Sequence, residues 1–422
     1  MNIRLKLLFI VLLVGKSFTL SAQTDTCEQK VQGRKNSSEQ QQKPYVILIS
    51  ADGFRYDYDK KYDARFLLSM EEKGVHATSM IPSFPSLTFP NHYTLVTGLY
   101  PSHHGIVDND FYDPQRKAFY SMGNAKAVTD GSWYGGTPLW VLAEQQKMVS
   151  ASMYWVGSEA SIKGVLPTYW FHYNEKIGIE DRIQTVVNWL KLPEDTRPHL
   201  ITFYLPEVDH AGHSHGPESP ETRAAVQFVD SAVSKLTDAV KSTGLPVNFI
   251  FVSDHGMVRV NNTAPIPLSS VPSDTTKYFI NGSGTMAGIY VKDKRYLNEV
   301  YDTLRTTAAG YKVYKKDHTP SYWHYSRKDD WKGRIADILL VADAPGYLSK
   351  RKTVNPGAHG YDPRVVREMH ATFIAWGPAF KENYQLGSFE NVHVYPLVAH
   401  ILGLKVSEKI DGQFKVLKST LK

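Results

Sequence analysis

Six aspartate and histidine residues of this chain are spaced as metal ligands would be. Asp209 and His213 are four residues apart, so one turn of helix would project both side chains to the same side. Asp254 and His255 are adjacent, and a sharp turn before Gly256 would direct both toward one centre. Mixed carboxylate and imidazole ligands suit zinc, whereas calcium and magnesium prefer oxygen. Six ligands are too many for one tetrahedral ion and match two: Asp52, Asp209, His213, Asp254, His255 and His359.

Thr88 is a candidate nucleophile in the stretch 83–105, which reads SFPSLTFPNHYTLVTGLYPSHHG. A free threonine hydroxyl is a weak nucleophile at neutral pH, and coordination to a metal ion would lower its pKa without a histidine base. The alternative interpretation is structural, because threonine is a common helix cap and a helix-like run follows from Asn91 to Gly98. The residues of this stretch alone leave both interpretations open.

Continuous apolar runs precede three of the candidate ligands, Asp52, Asp209 and Asp254. Such runs are typical of strands buried on both faces of a parallel sheet. Amphipathic helices between them predict a doubly wound, mostly parallel α/β sheet, in which ligands bind beyond the carboxyl ends of the strands. The predicted strands are Tyr45–Ser50, Met153–Val156, His199–Leu205, Val247–Val252 and Ala371–Trp376, and the predicted helices are 182–191, 221–243 and 394–402.

The amino-terminal composition predicts export. Residues 1–22 combine a basic start, an apolar run too short to span a bilayer and a small-residue cleavage site, as in a secretory signal peptide. Residues 23–43 are polar and are predicted to be disordered. Residues 44–422 are predicted to form a single catalytic domain, with the less regular region 265–332 as an insertion or a sheet extension.

Cysteine usage and charge restrict the location and the partners. The one cysteine, Cys27, cannot form an internal disulfide, which favours a bacterial periplasm over an animal extracellular space and leaves full secretion open. The net charge of +6 is dispersed and gives no basis for a stable nucleic-acid complex. No stretch is long and apolar enough to predict a transmembrane segment.

Seven segments resemble the nucleotide pyrophosphatase/phosphodiesterase family of the alkaline phosphatase superfamily, in the minimal catalytic-domain form of bacterial members. They follow the family's order over 46–404 and read ISADGF, SLTFPNHYTLVTGLYPSHHGIVDNDFYDP, VGSEASIKGVLPTYW, PEVDHAGHSHGP, VSDHGM, GAHGYD and MHATFIAWGPAFK. The resemblance implies an alkaline-phosphatase-like fold with helices on both faces of the sheet. It also implies an exported hydrolase with two zinc ions, which cleaves phosphodiester or phosphoanhydride bonds of small nucleotide-type substrates and releases nucleoside 5′-monophosphates.

The resemblance implies roles for individual residues. Thr88 matches the nucleophile that forms a covalent phosphoryl intermediate, and Asn109 matches the asparagine that hydrogen-bonds a phosphoryl oxygen. Asn91 is interpreted as a helix-start or loop-fixing residue. The positions that match ligands of one zinc ion are Asp52, Thr88, Asp254 and His255; those of the other ion are Asp209, His213 and His359. The histidines that match no metal ligand are His210, His215 and His370.

Substrate contacts follow from the same resemblance. Phe89 matches an aromatic residue that stacks on a nucleobase, and Trp170 is the predicted facing ring, with Tyr169 as the alternative. Stacking of this kind accepts any base. A structural interpretation of Phe89, as a lid over the core beneath Thr88, is also open.

Four other functions agree with parts of the pattern. A phosphomonoesterase shares the two-zinc core but would need further cationic groups, and Thr88 has Phe89 beside it and no Lys or Arg. A phospholipid-headgroup phosphodiesterase could line its pocket with Trp155, Tyr169 and Trp170. A sulfatase would need a Cys or Ser in a C/S-x-P-x-R setting, which TFPNH lacks. A non-catalytic binding protein is disfavoured because every ligand position is filled.

Overall fold

The computed structural model describes residues 26–422, and in this range a nine-stranded sheet forms the centre of the molecule. The predicted signal peptide, 1–22, lies outside the described residues, as do residues 23–25. In chain order the nine strands are β1 (Gln29–Lys30), β2 (Tyr45–Ala51), β3 (Val75–Ala77), β4 (Ser150–Met153), β5 (Tyr169–Trp170), β6 (Leu200–Leu205), β7 (Val247–Val252), β8 (Phe373–Trp376) and β9 (Tyr384–Leu386).

The order of the strands brings the candidate ligands to one edge of the sheet. The order is β1-β5-β4-β6-β2-β7-β8-β3-β9, and the five strands from β5 to β7 run parallel. Because β6, β2 and β7 are neighbours, their carboxyl ends, which lead to Asp209, Asp52 and Asp254, lie side by side. Strand β8 is antiparallel to both of its neighbours. The predicted doubly wound, mostly parallel α/β architecture is confirmed.

Helices cover both faces of the sheet because its central strands are apolar on both. Along β2, Val46 and Leu48 belong to one hydrophobic core and Ile47 and Ile49 to the other, since successive side chains of a strand point to opposite faces. The longer helices are α1 (Arg65–Lys73), α2 (Thr88–Thr97), α3 (Leu139–Gln145), α4 (Ile179–Leu190), α5 (Glu207–His215), α6 (Pro220–Lys241), α7 (Leu297–Thr306) and α8 (Val394–Ile401). Helices α2, α3 and α8 pack on the first core, and α1, α4 and α6 pack on the second.

A separate four-stranded antiparallel sheet occupies most of the region predicted as an insertion or sheet extension. Its strands, in spatial order, are Tyr278–Asn281, Met286–Val291, Ile338–Ala342 and Tyr311–Lys315. Helix α7 packs on it through Val300 and Leu304, so the sheet has a small core of its own. Thr285, directly before the second of these strands, donates its hydroxyl to the carbonyl oxygen of His359 at 3.2 Å. This second sheet therefore supports the loop that carries one candidate ligand.

Shorter elements complete the described chain. No helix within residues 26–422 is long and apolar enough to cross a membrane. The short helices are Tyr58–Lys61, Pro101–His104 and Ala125–Val128, and the short strands are Met80–Ile81, Asp110–Asp113, Ala118–Ser121, Val258–Arg259, Ile266–Pro267, Leu348–Ser349, Gly357–Ala358 and Phe389–Glu390.

The predicted disorder of residues 23–43 does not hold for the described part of that segment, 26–43. Strand β1 pairs with β5 at the edge of the central sheet. The Asn36 amide donates to the carbonyl oxygens of Glu194 and Arg197 at 2.8 and 2.7 Å and accepts from the Val149 amide at 2.7 Å. Polar composition was a poor guide here because the polar side chains bind backbone groups of neighbouring elements.

A pair of carboxyls beside the sheet predicts a pH-dependent stability. Asp59 is buried, and burial, followed by the hydrogen bond and the charge of Glu71, raises the pKa of Asp59 to about 8. The folded chain therefore holds this proton more tightly than the unfolded chain. The resulting stabilisation is complete below about pH 4 and is lost as the pH rises through 8.

We expect Asp59→Asn to raise the melting temperature by several degrees at pH 8.5 relative to the unmodified chain, with a smaller or reversed difference at pH 5. The amide keeps a hydrogen-bonding group beside Glu71 but carries no titrating proton. Thermal melts at the two pH values measure this. Asp63→Asn, at an exposed carboxyl paired with Arg65, is the control and should show no such pH dependence. Equal shifts at both pH values would contradict the prediction.

Candidate metal centre and active site

The ends of three neighbouring strands and one loop bring the predicted metal ligands together. Asp52 follows β2 and Asp254 and His255 follow β7, while α5, directly after β6, carries Asp209 together with His213. The turn after β2 needs glycine at position 53, where φ is +68° and a Cβ would lie 3.0 Å from the Asp209 Cα. That close approach lets Asp52 and Asp209 face the same space.

The first group of candidate ligands consists of Asp52, Asp254 and His255, whose ligand atoms all lie within 4.8 Å of one another. His255 Nε2 is 2.9 Å from Asp254 Oδ2 and 3.5 Å from Asp52 Oδ1. The Thr88 hydroxyl is 3.2 Å from the same Nε2. The hydroxyl of the predicted nucleophile is therefore adjacent to the first group.

The second group consists of Asp209, His213 and His359, and the ligand atoms of Asp209 and His359 also lie within 4.8 Å of that of His255. The Nε2 atoms of His213 and His359 are 3.4 and 3.5 Å from Asp209 Oδ1, and these two Nε2 atoms are 3.0 Å apart. The His359 ring also stacks on the His255 ring, with centroids 3.5 Å apart. The two groups are thus adjacent, and one imidazole ring of each group stacks on the other.

Backbone carbonyls orient all three imidazoles in the same way. The Nδ1 atoms of His255, His213 and His359 lie 2.9, 2.9 and 3.1 Å from the carbonyl oxygens of Gly256, Gly357 and Ser86. A carbonyl only accepts, so each Nδ1 carries the hydrogen and each neutral ring presents a lone pair at Nε2. Two such lone pairs 3.0 Å apart repel one another unless a cation or a proton lies between them.

Buried carboxylate oxygens complete the case for cations. Among the described residues, Asp52 Oδ1, Asp209 Oδ1 and Asp254 Oδ2 are buried without a hydrogen-bond partner. Burial, then the charges of Asp254 and Asp209, raise the pKa of Asp52 well above its usual value, although the Tyr204 hydroxyl donates to Asp52 Oδ2 at 2.6 Å. The crowding of negative charge and the mixed oxygen and nitrogen donors fit divalent zinc in both groups.

The pKa values of His359 and His255 are shifted in opposite directions. Burial, followed by the neighbouring His255 and His213, lowers the pKa of His359 well below its usual value, which keeps that ring neutral. Burial also lowers the pKa of His255, but the charge and hydrogen bond of Asp254 outweigh it and raise the pKa to about 9. Without a cation, His255 therefore carries a proton at neutral pH.

Thr88 is the first residue of α2, three residues earlier than the predicted helix start at Asn91. Asn91 lies inside the helix, and its side chain ties down the preceding loop. The Asn91 amide donates to the carbonyl oxygens of Pro85 and Leu87, each at 2.9 Å, and accepts from the Ser83 amide at 2.8 Å. Its interpretation as a loop-fixing residue is confirmed, and Thr88 is not the cap of a helix that begins at Asn91.

Asn109 lies beside the nucleophile, as predicted for a group that binds a phosphoryl oxygen. Its Oδ1 accepts the backbone N–H of Phe89 at 2.9 Å, which leaves the Nδ2 hydrogens for another acceptor. Phe89 is half-buried and contacts Tyr120 edge-on, with ring centroids 6.3 Å apart. The surface directly beside Thr88 is therefore aromatic.

Tyr169 and Trp170, which were predicted to stack on a base, are not on the surface next to Thr88 and Phe89. Both are buried in β5, where Trp170 is level with Leu48 of β2 through Ser152 and Thr202. Leu48 precedes Asp52 by four residues, which is about 13 Å along a strand.

Tyr173, three residues beyond Trp170 and past the end of β5, is an exposed aromatic residue near the first group of candidate ligands. Its side chain is 45% exposed, and its ring centroid is 5.9 Å from that of Tyr204, the residue that holds Asp52. Tyr173 was not predicted from the sequence because the two-residue strand Tyr169–Trp170 was not recognised; the available signal was an aromatic residue directly after a strand end.

The histidines predicted to have no metal role lie apart from both groups. His210 is exposed and 3.6 Å from Glu175, and His215 is exposed and 4.0 Å from Glu221. His370 is 2.8 Å from the Ser79 hydroxyl. None of these contacts involves a candidate ligand.

Comparison with known proteins shows which proteins carry the same pattern. The family model for type I phosphodiesterase / nucleotide pyrophosphatase matches residues 46–362. Rat ectonucleotide pyrophosphatase/phosphodiesterase family member 1 is 36% identical over 376 residues, which cover 86% of this chain and 41% of the relative. Human family member 5 is 32% identical over 363 residues, which cover 85% of this chain and 74% of the relative. The chain thus spans about two fifths of the length of the rat relative.

Solved structures agree with this assignment. Murine ectonucleotide pyrophosphatase/phosphodiesterase 5 superposes with a TM-score of 0.83 at 33% identity, covering 90% of this chain and 100% of the murine chain. An inactive threonine-to-alanine variant of the murine protein, in complex with AMP, also gives a TM-score of 0.83, at 32% identity. The strand order, the paired ligand groups and the extent of these matches agree, and the chain belongs to the type I phosphodiesterase / nucleotide pyrophosphatase family of the alkaline phosphatase superfamily.

Proposed function

We propose that this protein is a two-zinc phosphodiesterase and nucleotide pyrophosphatase. Its substrates would be nucleotide-type phosphodiesters or phosphoanhydrides, from which it releases nucleoside 5′-monophosphates. The observation that carries the proposal is the pair of adjacent ligand groups with the Thr88 hydroxyl 3.2 Å from His255 Nε2. Asp52, Asp254, His255 and Thr88 would hold one ion, and Asp209, His213 and His359 the other.

The chain's own residues supply the nucleophile and its orientation. Zinc bound at the two groups would lower the pKa of the Thr88 hydroxyl and of a water molecule, and would neutralise charge developing on the phosphate. Thr88 Oγ attacks phosphorus in line, the leaving oxygen departs, and water then hydrolyses the phosphoryl-threonine to restore Thr88. The amino-terminal end of α2 adds its positive dipole end beside the phosphate.

Asn109 would stabilise the pentacoordinate transition state. With Oδ1 engaged by Phe89, its Nδ2 is held ready to donate to a non-bridging phosphoryl oxygen, an interaction of the oxyanion-hole type. No Lys or Arg lies within the nucleophile segment 83–92 to bind the extra charge of a phosphomonoester. This charge arrangement favours diesters.

Phe89 and Tyr173 would hold the nucleobase. Phe89 directly follows Thr88, and the Tyr173 ring contacts Tyr204, whose hydroxyl donates to Asp52 of the first ligand group. The AMP complex of the murine relative supports a nucleotide monophosphate as the group retained at the site. Stacking between two rings accepts purines and pyrimidines alike.

We also propose that the enzyme is exported, to the periplasm or beyond the cell. The signal-like residues 1–22 support this location, as do the names of relatives, which include an ectonucleotide pyrophosphatase/phosphodiesterase and a venom phosphodiesterase of Crotalus adamanteus. The partner is then a small-molecule substrate met outside the cytoplasm.

The first prediction is that the zinc-loaded protein cleaves the nitrophenyl ester of thymidine 5′-monophosphate much faster than nitrophenyl phosphate. Thr88→Ala and removal of zinc by a chelator should each lower diester cleavage by roughly a thousandfold or more, because the nucleophile or its activation is lost. Thr88→Ser, which retains a hydroxyl, is the matched control and should keep measurable activity. Faster cleavage of the monoester would overturn the substrate assignment, and no cleavage of either ester would overturn the site assignment.

The second prediction concerns the base. Tyr173→Ala should lower kcat/KM for the nucleotide diester by roughly 5- to 150-fold, since one base–ring stack contributes about 1–3 kcal/mol. Methyl nitrophenyl phosphate, a diester without a base, should be cleaved as before. Trp170→Phe, within β5, is the control and should not alter the ratio of the two rates. A Tyr173→Ala variant equally impaired on both diesters would contradict base stacking.

The third prediction concerns protons displaced by zinc. Because the pKa of His255 is about 9 and that of Asp52 is raised, the metal-free site holds protons at pH 7 that zinc must replace. Calorimetric titrations with zinc at pH 7, in two buffers of different ionisation enthalpy, should show release of about one proton or more, declining toward pH 9. Zinc affinity should rise over the same interval. Equal heats in the two buffers would refute this.

A further inference from the structure

His92 is a fully buried side chain that touches three parts of the site without being a predicted ligand. It lies one turn after Thr88 on α2, and its Nδ1 is 3.0 Å from the Thr88 carbonyl oxygen and 3.3 Å from Asp254 Oδ2. Its Nε2 is 2.8 Å from the Ser50 hydroxyl in β2. One ring therefore joins the nucleophile's helix, a carboxylate of the first ligand group and the central strand.

The partners determine where the ring hydrogen lies. Nδ1 hydrogen-bonds the Thr88 carbonyl oxygen, which only accepts, so Nδ1 carries the hydrogen, and the same nitrogen lies 3.3 Å from Asp254 Oδ2. The Asp254 carboxylate is then contacted at both oxygens: Oδ1 accepts the Gly53 N–H at 3.1 Å, and Oδ2 lies at ion-pair distance from His92. From this position Oδ2 also lies 2.9 Å from His255 Nε2.

Aromatic neighbours prevent the His92 ring from turning. Trp155 and Tyr204 contact it edge-on, with centroids 5.3 and 5.2 Å away, and the Trp155 indole N–H donates to the His92 carbonyl oxygen at 2.9 Å. Tyr204 donates its hydroxyl to Asp52. His92 and Tyr204 thus form one packed layer behind both carboxylates of the first ligand group.

His104 is a comparison for His92, because it packs on α2 but lacks the contacts with Asp254 and Ser50. It is also fully buried, and its Nε2 is 3.0 Å from the Thr94 hydroxyl and 3.2 Å from the Pro90 carbonyl oxygen. Neither of these hydrogen bonds involves a candidate metal ligand. Packing on α2 is common to both histidines, whereas contact with Asp254 belongs to His92.

We infer that His92 is a positioning residue, which holds the Asp254 carboxylate and the Thr88 backbone at a fixed separation so that metal ligand and nucleophile meet. The inference rests on the proposed function for the role of Thr88. Groups that hydrogen-bond a metal ligand from behind commonly change metal affinity by 10- to 100-fold when removed. A residue that only filled the core would leave metal affinity unchanged.

The test compares three variants of the full chain with the unmodified protein. His92→Phe keeps a ring but removes both nitrogens, His92→Asn keeps a donor near the Nδ1 position, and His104→Phe is the matched buried control. Zinc affinity is measured by competition with a chromophoric chelator, zinc content by elemental analysis after dialysis, and folding by thermal melts. kcat and KM are measured on the nitrophenyl nucleotide diester.

His92→Phe should bind one of its two zinc ions 10- to 100-fold more weakly, and kcat should fall more than KM changes. His92→Asn should recover part of both losses. His104→Phe should melt at a lower temperature while it binds both ions as the unmodified protein does. Zinc affinities of His92→Phe within twofold of the unmodified protein would overturn the inference, as would equal losses in His92→Phe and His92→Asn.

If His92→Phe does not fold, Ser50→Ala tests the same inference, because it releases Nε2 while the ring remains. A severalfold weaker affinity for one zinc ion is then expected, and an unchanged affinity overturns the inference. An unmodified protein that binds two zinc ions and cleaves no diester would refute the proposed function alone. An unperturbed His92→Phe variant would refute the positioning role alone.

Discussion

The site depends on one electrostatic constraint, the burial of three carboxylates beside one another. Asp52, Asp209 and Asp254 each present an oxygen that, among the described residues, has no hydrogen-bond partner. Removing a charge from water costs several kcal/mol unless an opposite charge compensates it. The Nε2 atoms of His213 and His359 point at the same space while their Nδ1 atoms face carbonyl oxygens, so these two rings offer ligand atoms for a cation. Divalent cations satisfy both requirements at once, and protons satisfy them only in part.

The nucleophile segment belongs to both ligand groups, which couples chemistry to metal binding. Thr88 faces the first group through its hydroxyl, while the carbonyl oxygen of Ser86, two residues earlier, orients His359 of the second. Asn91 fixes the loop between them from inside the helix. A shift of this loop would move the Thr88 hydroxyl and the His359 ring together, so the contacts of both ligand groups help to fix its position.

The strand cores and the convergence of the candidate ligands could be predicted from sequence because both follow from local patterns. Buried parallel strands are continuous apolar runs, and the pair Asp209 and His213 needs only one helical turn to converge. The ordered structure of residues 26–43 could not be predicted, because it depends on contacts between residues that are remote in sequence, such as Asn36 and Val149. The predicted strand Met153–Val156 was displaced from the observed strand Ser150–Met153, because Tyr154 and Trp155 follow the strand in a loop, where Trp155 packs against His92.

The position of the proposed base-stacking ring affects how binding and chemistry would connect. A ring inside β5, such as Trp170, is held level with the middle of β2. Tyr173, three residues further along the chain, packs on Tyr204, and the Tyr204 hydroxyl binds Asp52. A base stacked on Tyr173, as proposed, would be separated from the candidate ligand Asp52 by a single ring. Binding energy gained at the base would then act close to the reacting phosphorus, where it would hold the phosphate in line with Thr88 instead of only increasing affinity.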